Sequence, residues 1–392
     1  MGKDSVVITF NNVSRVFYPG QIVDGNVQLT VVESLKMREI RLTFSGYANV
    51  RWTERRSTKN GTRTVVYSSH ESYFNTTVPL VQKQADQKGD IIFQKGVYNY
   101  PFKFQLPLNI PSSYEAVIGR VRYAVVVTVD KPWAFDLVTM GPFTVISLLD
   151  LNKLPNVANG GTVSDEKTLC CLCCKSGPIR ANITTDRLGY VPGEAIKFRA
   201  EITNLSNRHM ECSKAQLVMQ VHYHARGKTR IVRNVLYALQ RPPIPAGDTD
   251  VWDGYKLYVP PVPPSFLYGC KIIDIHYYVT ILVDPSGPSF DLYVPMEVTI
   301  GSIPLVTVAQ MHGIPSAENV YGVVGQGMLP PSEQFPDNVP KPVLAESAMG
   351  GVNVNAENAN AETPHNFAPV YTYYNWEKPD PNINFQIAKE QE

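Results

Sequence analysis

No stretch of this sequence approaches the ~18 consecutive apolar residues that a membrane-spanning helix requires. The opening, MGKDSVVITF, lacks the apolar core and cleavage site of a secretory signal, and Val6 stands where a myristoylation signal wants Ser or Thr. Without a secretory signal, the six cysteines are expected as reduced thiols in a cytosolic protein. There is no Gly-Lys-Ser/Thr phosphate loop, nucleophile elbow or convincing acid–base pair, so an enzyme is not expected, and no cofactor is called for. Nucleic acid is not expected as a partner either, since net charge is only +1 and the basic stretches lack interleaved aromatics. Long helices are disfavoured by 31 prolines in 392 residues, roughly 8 % against a usual ~5 %.

What is present suits strands. Val, Thr, Tyr and Phe are plentiful, and 44 % of the chain is hydrophobic, so the class is all-β with packed cores. A length of 392 residues fits two domains and a tail. The chain also repeats itself. YPGQIVDGNVQL from Tyr18 returns as YVPGEAIKF from Tyr190, each a Pro-Gly bend into a strand. Ile40, Leu42 and Phe44 alternate with polar residues, as do Leu217, Met219, Val221 and Tyr223, the period of a half-buried strand. FQLPLNIPSSYE matches LYVPPVPPSFLY, and each precedes a strand in which a Tyr lies seven residues before an Asp: Tyr123 to Asp130, Tyr277 to Asp284. A turn and Phe-Asp-Leu follow in both. The repeat predicts a duplicated domain of about seven short strands, an immunoglobulin-like two-sheet sandwich.

We place the sandwiches at 5–150 and 177–302, with a polar linker at 151–176 that carries LCCLCCKSG. From 303 to 392 the pattern dissolves into Pro-rich and Asn/Ala/Glu-rich sequence, so this tail is expected to be disordered. It is also acidic. Beyond Ser302 lie three lysines, no arginine and ten acids, a charge of −7, which leaves the body 33 basic and 25 acidic residues, or +8. Such a body suits anionic partners or simple solubility.

In order across both halves, YPGQIVDGNVQL, LPLNIPSSYE, CLCCKSGPI, YVPGEAIKF, LYGCKIIDIHYYV and IGSIP resemble the arrestin fold, and most closely the α-arrestins, from about Val6 to Ser302. The fold implied is two tandem immunoglobulin-like arrestin β-sandwiches with the disordered tail behind them. Two departures sort the chain within the superfamily. Visual and β-arrestins carry an amphipathic helix in the first domain, but Pro101, Pro107 and Pro111 interrupt any helical period between Gly96 and Arg120. The thioredoxin-binding member of the α-branch uses a cysteine three residues before a Trp, and the matching position before Trp252 is Thr249.

The resemblance implies an adaptor. Its sandwiches would bind membrane receptors or transporters, and its tail would recruit a HECT-type ubiquitin ligase through WW domains, for ubiquitination, endocytosis and protein transport. The protein would be cytoplasmic and recruited to the plasma membrane and endosomes. The alternative is a trafficking scaffold of the same fold that binds cargo or anionic membrane without a ligase. The Pro-Pro-x-Tyr ligand of WW domains is absent, and the nearest segment is Ala368-Pro369-Val370-Tyr371. Pro369 could enter an aromatic groove and Tyr371 a second pocket, with less contact than a full motif; chance Pro-x-Tyr is the competing account. Arg51, Arg55, Arg56, Lys59 and Arg63 form one basic stretch around an Asn60-Gly61 turn, and Arg226, Lys228, Arg230 and Arg233 form another. They read as docking for anionic cargo or lipid, or as solvated hairpin tips. Cys170, Cys171, Cys173 and Cys174 admit acylation, a metal, or merely an apolar start to the second domain, although four cysteines within five residues wrap one ion poorly. His222 and His224 share a strand face without an evident third ligand, and SLLDLN at 147–152 is read as structural rather than as a clathrin-binding peptide.

Overall fold

The computed structural model describes residues 3–59, 61–83, 89–171, 174–313, 342–353, 366–376 and 388–389. In the first domain, β1 (Ser5–Phe10), β3 (Ile22–Met37) and β6 (Ile91–Gln105) form one antiparallel sheet in the order β1-β3-β6. β2 (Val16–Phe17), β4 (Glu39–Thr58), β5 (Gly61–Gln82), β8 (Gly119–Asp130) and β9 (Leu137–Val145) form the other, ordered β2-β9-β8-β4-β5, with β7 (Tyr114–Glu115) on β8. Alternation decides what lies between the sheets. Val6, Ile8 and Phe10 of β1 face inward, as do Val27, Leu29 and Val31 of β3, against Ile40, Leu42 and Phe44 of β4.

The second domain repeats this arrangement. β10 (Gly161–Cys171), β11 (Cys174–Thr185), β13 (Ala195–Asn204) and β16 (Thr249–Trp252) form one sheet, and β17 (Lys256–Tyr258) joins β13. β12 (Gly189–Tyr190), β14 (Met210–Ala225), β15 (Lys228–Arg241), β18 (Ile273–Pro285) and β19 (Leu292–Ile300) are ordered β12-β19-β18-β14-β15. β12 runs parallel to β19 as β2 does to β9.

The duplicated residues do duplicated work. The buried Tyr123 hydroxyl donates to the Pro111 carbonyl at 2.7 Å, and that of Tyr277 to Pro263 at 2.6 Å. Ser113 Oγ accepts from the Val145 amide, and Ser265 Oγ from the Ile300 amide, both at 2.9 Å. Each pair pins the proline-rich crossover to its own sheet, satisfying groups that burial would otherwise strand. The Pro-Gly bends turn through Gly20 at φ +84° and Gly193 at φ +97°, conformations that glycine alone adopts without strain.

Three features differ from expectation. The strands are not uniformly short: β4 and β5 run 20 and 22 residues and form one long hairpin. The stretch 151–176 is a linker only in part. Leu151–Lys153 is a 3₁₀ turn, and β10 belongs to the second sandwich, pairing along β11 from Gly161↔Thr185 to Cys171↔Cys174. The stretch expected to be a disordered tail, 303–392, contains ordered parts. A short helix, α1 (Val306–Met311), follows the second domain, and β20 (Val343–Glu346) pairs antiparallel with β23 (Val370–Tyr373). The short strands β21 (Val352–Asn353) and β22 (Asn366–Phe367) continue that hairpin inward. Between Gly96 and Arg120 the chain is strand and turn, with no helix.

Candidate functional site

The two basic stretches meet where the domains touch. β4 and β5 pair Trp52 with Tyr67 and Arg56 with Arg63, so alternation puts Trp52, Glu54 and Arg56 on one face and Arg51 and Arg55 on the other. The Trp52 and Tyr67 rings stack at 5.2 Å, and the Trp52 indole donates to Glu54. Lys228, at the start of β15 in the second domain, reaches this platform: its ammonium lies 3.3 Å from Glu54 Oε2 and 5.2 Å from the centre of the Tyr67 ring. Arg56 donates to the Tyr67 hydroxyl at 2.5 Å. The Trp52 indole and the Lys228 ammonium hold the Glu54 carboxyl below the ordinary carboxylate range. Lys228 is therefore engaged across the two domains, while Arg56 pairs with Glu54 and Tyr67 inside the first. Arg51, Arg55, Lys59, Arg63 and Arg226 remain exposed, and Arg230 is half-buried opposite Tyr223. Arg226, at φ +49°, and Gly227 turn the tip between β14 and β15. Asn60 lies outside the described residues, but Thr58 pairs with Gly61 as a hairpin requires.

Further along the seam, the Tyr114 and Tyr223 hydroxyls share a buried hydrogen bond of 2.7 Å, and the Lys271 amide donates to Glu71. Ser302 Oγ accepts from the Leu149 amide, and Asp150 bridges to Ile303. SLLDLN is thus built into the seam, with Leu149 and Leu151 buried. Beside it lies a fully buried ion pair. The Arg122 Nε and Nη2 donate to the two Glu115 carboxylate oxygens at 2.6 and 2.9 Å, with side chains 0 % and 1 % exposed. Burial pushes the Glu115 carboxyl up, and the Arg122 guanidinium opposes it.

The tail strand closes this seam. Pro369 is buried, and Tyr371 is 2 % exposed with its hydroxyl donating to the Ser113 carbonyl of the first domain at 2.9 Å. Three residues on, Tyr374 donates from its amide to Pro192 and from its hydroxyl to Ser302, each at 2.8 Å. Tyr374 packs among Leu151, Val157, Val191, Ile303, Leu305, Val308 and Ala309, and Trp376 stacks on His312 at 4.5 Å. The Val370 amide donates to Thr144 Oγ1, and the Ala348 amide to the Pro261 carbonyl. The tail hairpin is therefore held by both sandwiches. The segment at Pro369 and Tyr371 is therefore docked against the first domain in this structure.

Cys170, Cys171 and Cys174 lie at the β10–β11 turn by their backbone, and Cys173 is outside the described residues. No group of three His, Cys, Asp or Glu side chains among the described residues is placed to hold a metal. His222 and His224 lie on one strand face, where His222 meets Gln220 at 2.8 Å and the His276 ring at 5.1 Å. His276 sits between Glu297 at 2.7 Å and Asp274 at 2.8 Å.

Sequence reasoning missed Glu115, Arg122, Tyr374 and Trp376. The available signal was YTYYNW, an aromatic cluster that a segment unable to bury apolar area has no use for. No helix among the described residues is long and apolar enough to cross a membrane.

The sequence matches two family descriptions, "Arrestin (or S-antigen), N-terminal domain" over residues 6–152 and "Arrestin (or S-antigen), C-terminal domain" over 175–305. It is similar to Arrestin domain-containing protein 17 of Caenorhabditis elegans, 30 % identical over 352 residues that cover 86 % of this chain and 78 % of that one. Arrestin domain-containing protein 4 of Mus musculus is 31 % identical over 304 residues, 76 % of this chain and 72 % of its own, and that of Homo sapiens is 32 % identical over 289, or 73 % and 68 %. Two arrestin sandwiches in tandem, matched through both halves, mean that the chain belongs to the arrestin domain-containing family, the α-arrestins.

Proposed function

We propose that this protein is an adaptor that binds membrane receptors or transporters with its sandwiches and presents them to a WW-domain HECT-type ubiquitin ligase through Pro369 and Tyr371. Family membership supports an adaptor role in trafficking. The observation that carries the reading is that Pro369 leads into the strand Val370–Tyr373, which is docked across the domain seam, where an event that moves the domains reaches it directly. The exposed Arg51, Arg55, Lys59, Arg63 and Arg226 supply cationic surface for acidic cargo tails or anionic lipid, and acylation at Cys170, Cys171, Cys173 and Cys174 would add a membrane tether. The protein then works from the cytoplasm at the plasma membrane and endosomes.

The burial of Tyr371 favours a second reading, a trafficking scaffold that never engages a ligase. The two separate on one measurement. A peptide spanning residues 364–376 is titrated against isolated WW domains, and the full chain is compared with a Pro369→Ala, Tyr371→Ala variant in ligase co-precipitation. Peptide binding with loss of capture in the variant supports the ligase; a silent peptide and equal capture leave the scaffold.

A further inference from the structure

The loop between β8 and β9, Lys131–Asp136, carries two large apolar side chains in the open. Trp133 is 104 % exposed and Phe135 79 %, whereas Trp52 and Trp252 are 4 % and 0 % exposed. The loop base is tied down. The Lys131 amide donates to Asp136 Oδ1 at 3.3 Å, and Arg38 grips Asp130 at 2.7 Å. Trp133 itself sits at φ +59°, a left-handed conformation that a bulky residue adopts only under constraint.

The second domain keeps the same arrangement. Phe290 precedes Asp291-Leu292 as Phe135 precedes Asp136-Leu137, and it is 87 % exposed while Leu292 is buried. Lys167 fixes that loop through the Phe290 and Asp291 carbonyls at 2.7 and 3.2 Å. Core packing does not account for an aromatic held outside in both copies.

We propose that the Lys131–Asp136 loop is a membrane-interface anchor, with Trp133 and Phe135 entering the headgroup–acyl boundary of a phospholipid bilayer. Two rings bury about 150–250 Å² each, well short of the ~800 Å² per partner of a stable protein interface. A bilayer needs no complementary surface and takes a protruding indole at its interface. The charges at the loop base, Arg38 and Lys131 against Asp130 and Asp136, balance, so the anchor does not depend on anionic lipid. Position adds to the case. β8 begins beside the domain seam, and its twelve residues carry the loop on the order of 35–40 Å away, clear of the tail strand. This inference rests on the adaptor reading only for its setting, since protein-free vesicles contain neither cargo nor ligase.

The test is tryptophan emission and co-sedimentation of the full chain with phosphatidylcholine vesicles, alone or with phosphatidylserine, at low and high salt. A blue shift with phosphatidylcholine alone that survives salt is expected. Trp133→Phe should remove the shift while keeping most of the bound fraction, and Trp133→Ser with Phe135→Ser should lower the bound fraction about tenfold. No shift, or one that persists in Trp133→Phe, overturns the proposal. A shift that needs anionic lipid and low salt assigns binding to the basic hairpins instead. Capture of a protein that depends on Trp133, without vesicle binding, assigns the loop to a protein partner.

Discussion

Gly193→Ala should detach the tail strand from the domain seam while leaving the second sandwich folded. A methyl at Gly193 would lie 1.9 Å from the Tyr374 carbonyl oxygen and 2.7 Å from its nitrogen, both backbone atoms that cannot rotate away. Its counterpart Gly20 has a similar left-handed φ, but its nearest neighbour is a Leu108 side-chain carbon at 2.7 Å, which can move. Both substitutions carry the backbone cost of an L-residue at positive φ, roughly 1–2 kcal/mol. Gly193→Ala alone also evicts Tyr374, with two hydrogen bonds worth about 0.5–1.5 kcal/mol each. It forfeits burial of that ring as well, worth about 1.5–3 kcal/mol. Together these exceed what a short strand strap can supply, so the tail should leave. Hydrogen exchange at the Val370, Tyr374 and Trp376 amides reads this directly. We expect at least tenfold faster exchange there in Gly193→Ala and little change in Gly20→Ala. Equal protection in both variants would refute the docking argument.

The buried pair gives a second outcome: Glu115→Gln removes the carboxylate that faces the buried Arg122 guanidinium and should cost about 3–5 kcal/mol in denaturant unfolding, whereas joint replacement of Glu115 and Arg122 by apolar residues of similar volume should cost much less. His276 gives a third. Burial lowers its pKa, but Glu297 and Asp274 outweigh that and raise it overall. A raised folded pKa contributes stability that is complete below the unfolded value of about 6.5 and fades as pH climbs through the folded value. Glu297→Gln should lower the His276 titration midpoint by NMR and flatten stability across that window.

The duplication was legible because its signals are local. A Pro-Gly bend, a period of two and a Tyr-to-Asp spacing each describe one strand and its turn, and all of them reappear as β3 and β13, β4 and β14, β8 and β18. The seam was not legible for the opposite reason. Lys228 meets Glu54 across 174 positions, and Tyr371 meets Ser113 across 258, with no period linking them. β10 escaped notice because most of its residues are polar or half-exposed, so its only clear signal, pairing with β11, is tertiary. The arginine stretches were read correctly as charge, but charge alone does not reveal that Lys228 points at an acid of the other domain.

The tail hairpin touches both sandwiches, so its attachment and their mutual placement share one equilibrium. Any ligand that favours a different domain arrangement by a given factor loosens the strand at Tyr371 by that same factor, and any partner that captures the freed strand must favour the new arrangement reciprocally. Measured affinities for cargo and for tail-binding domains would then depend on one another, and each would need to be determined in the presence and in the absence of the other.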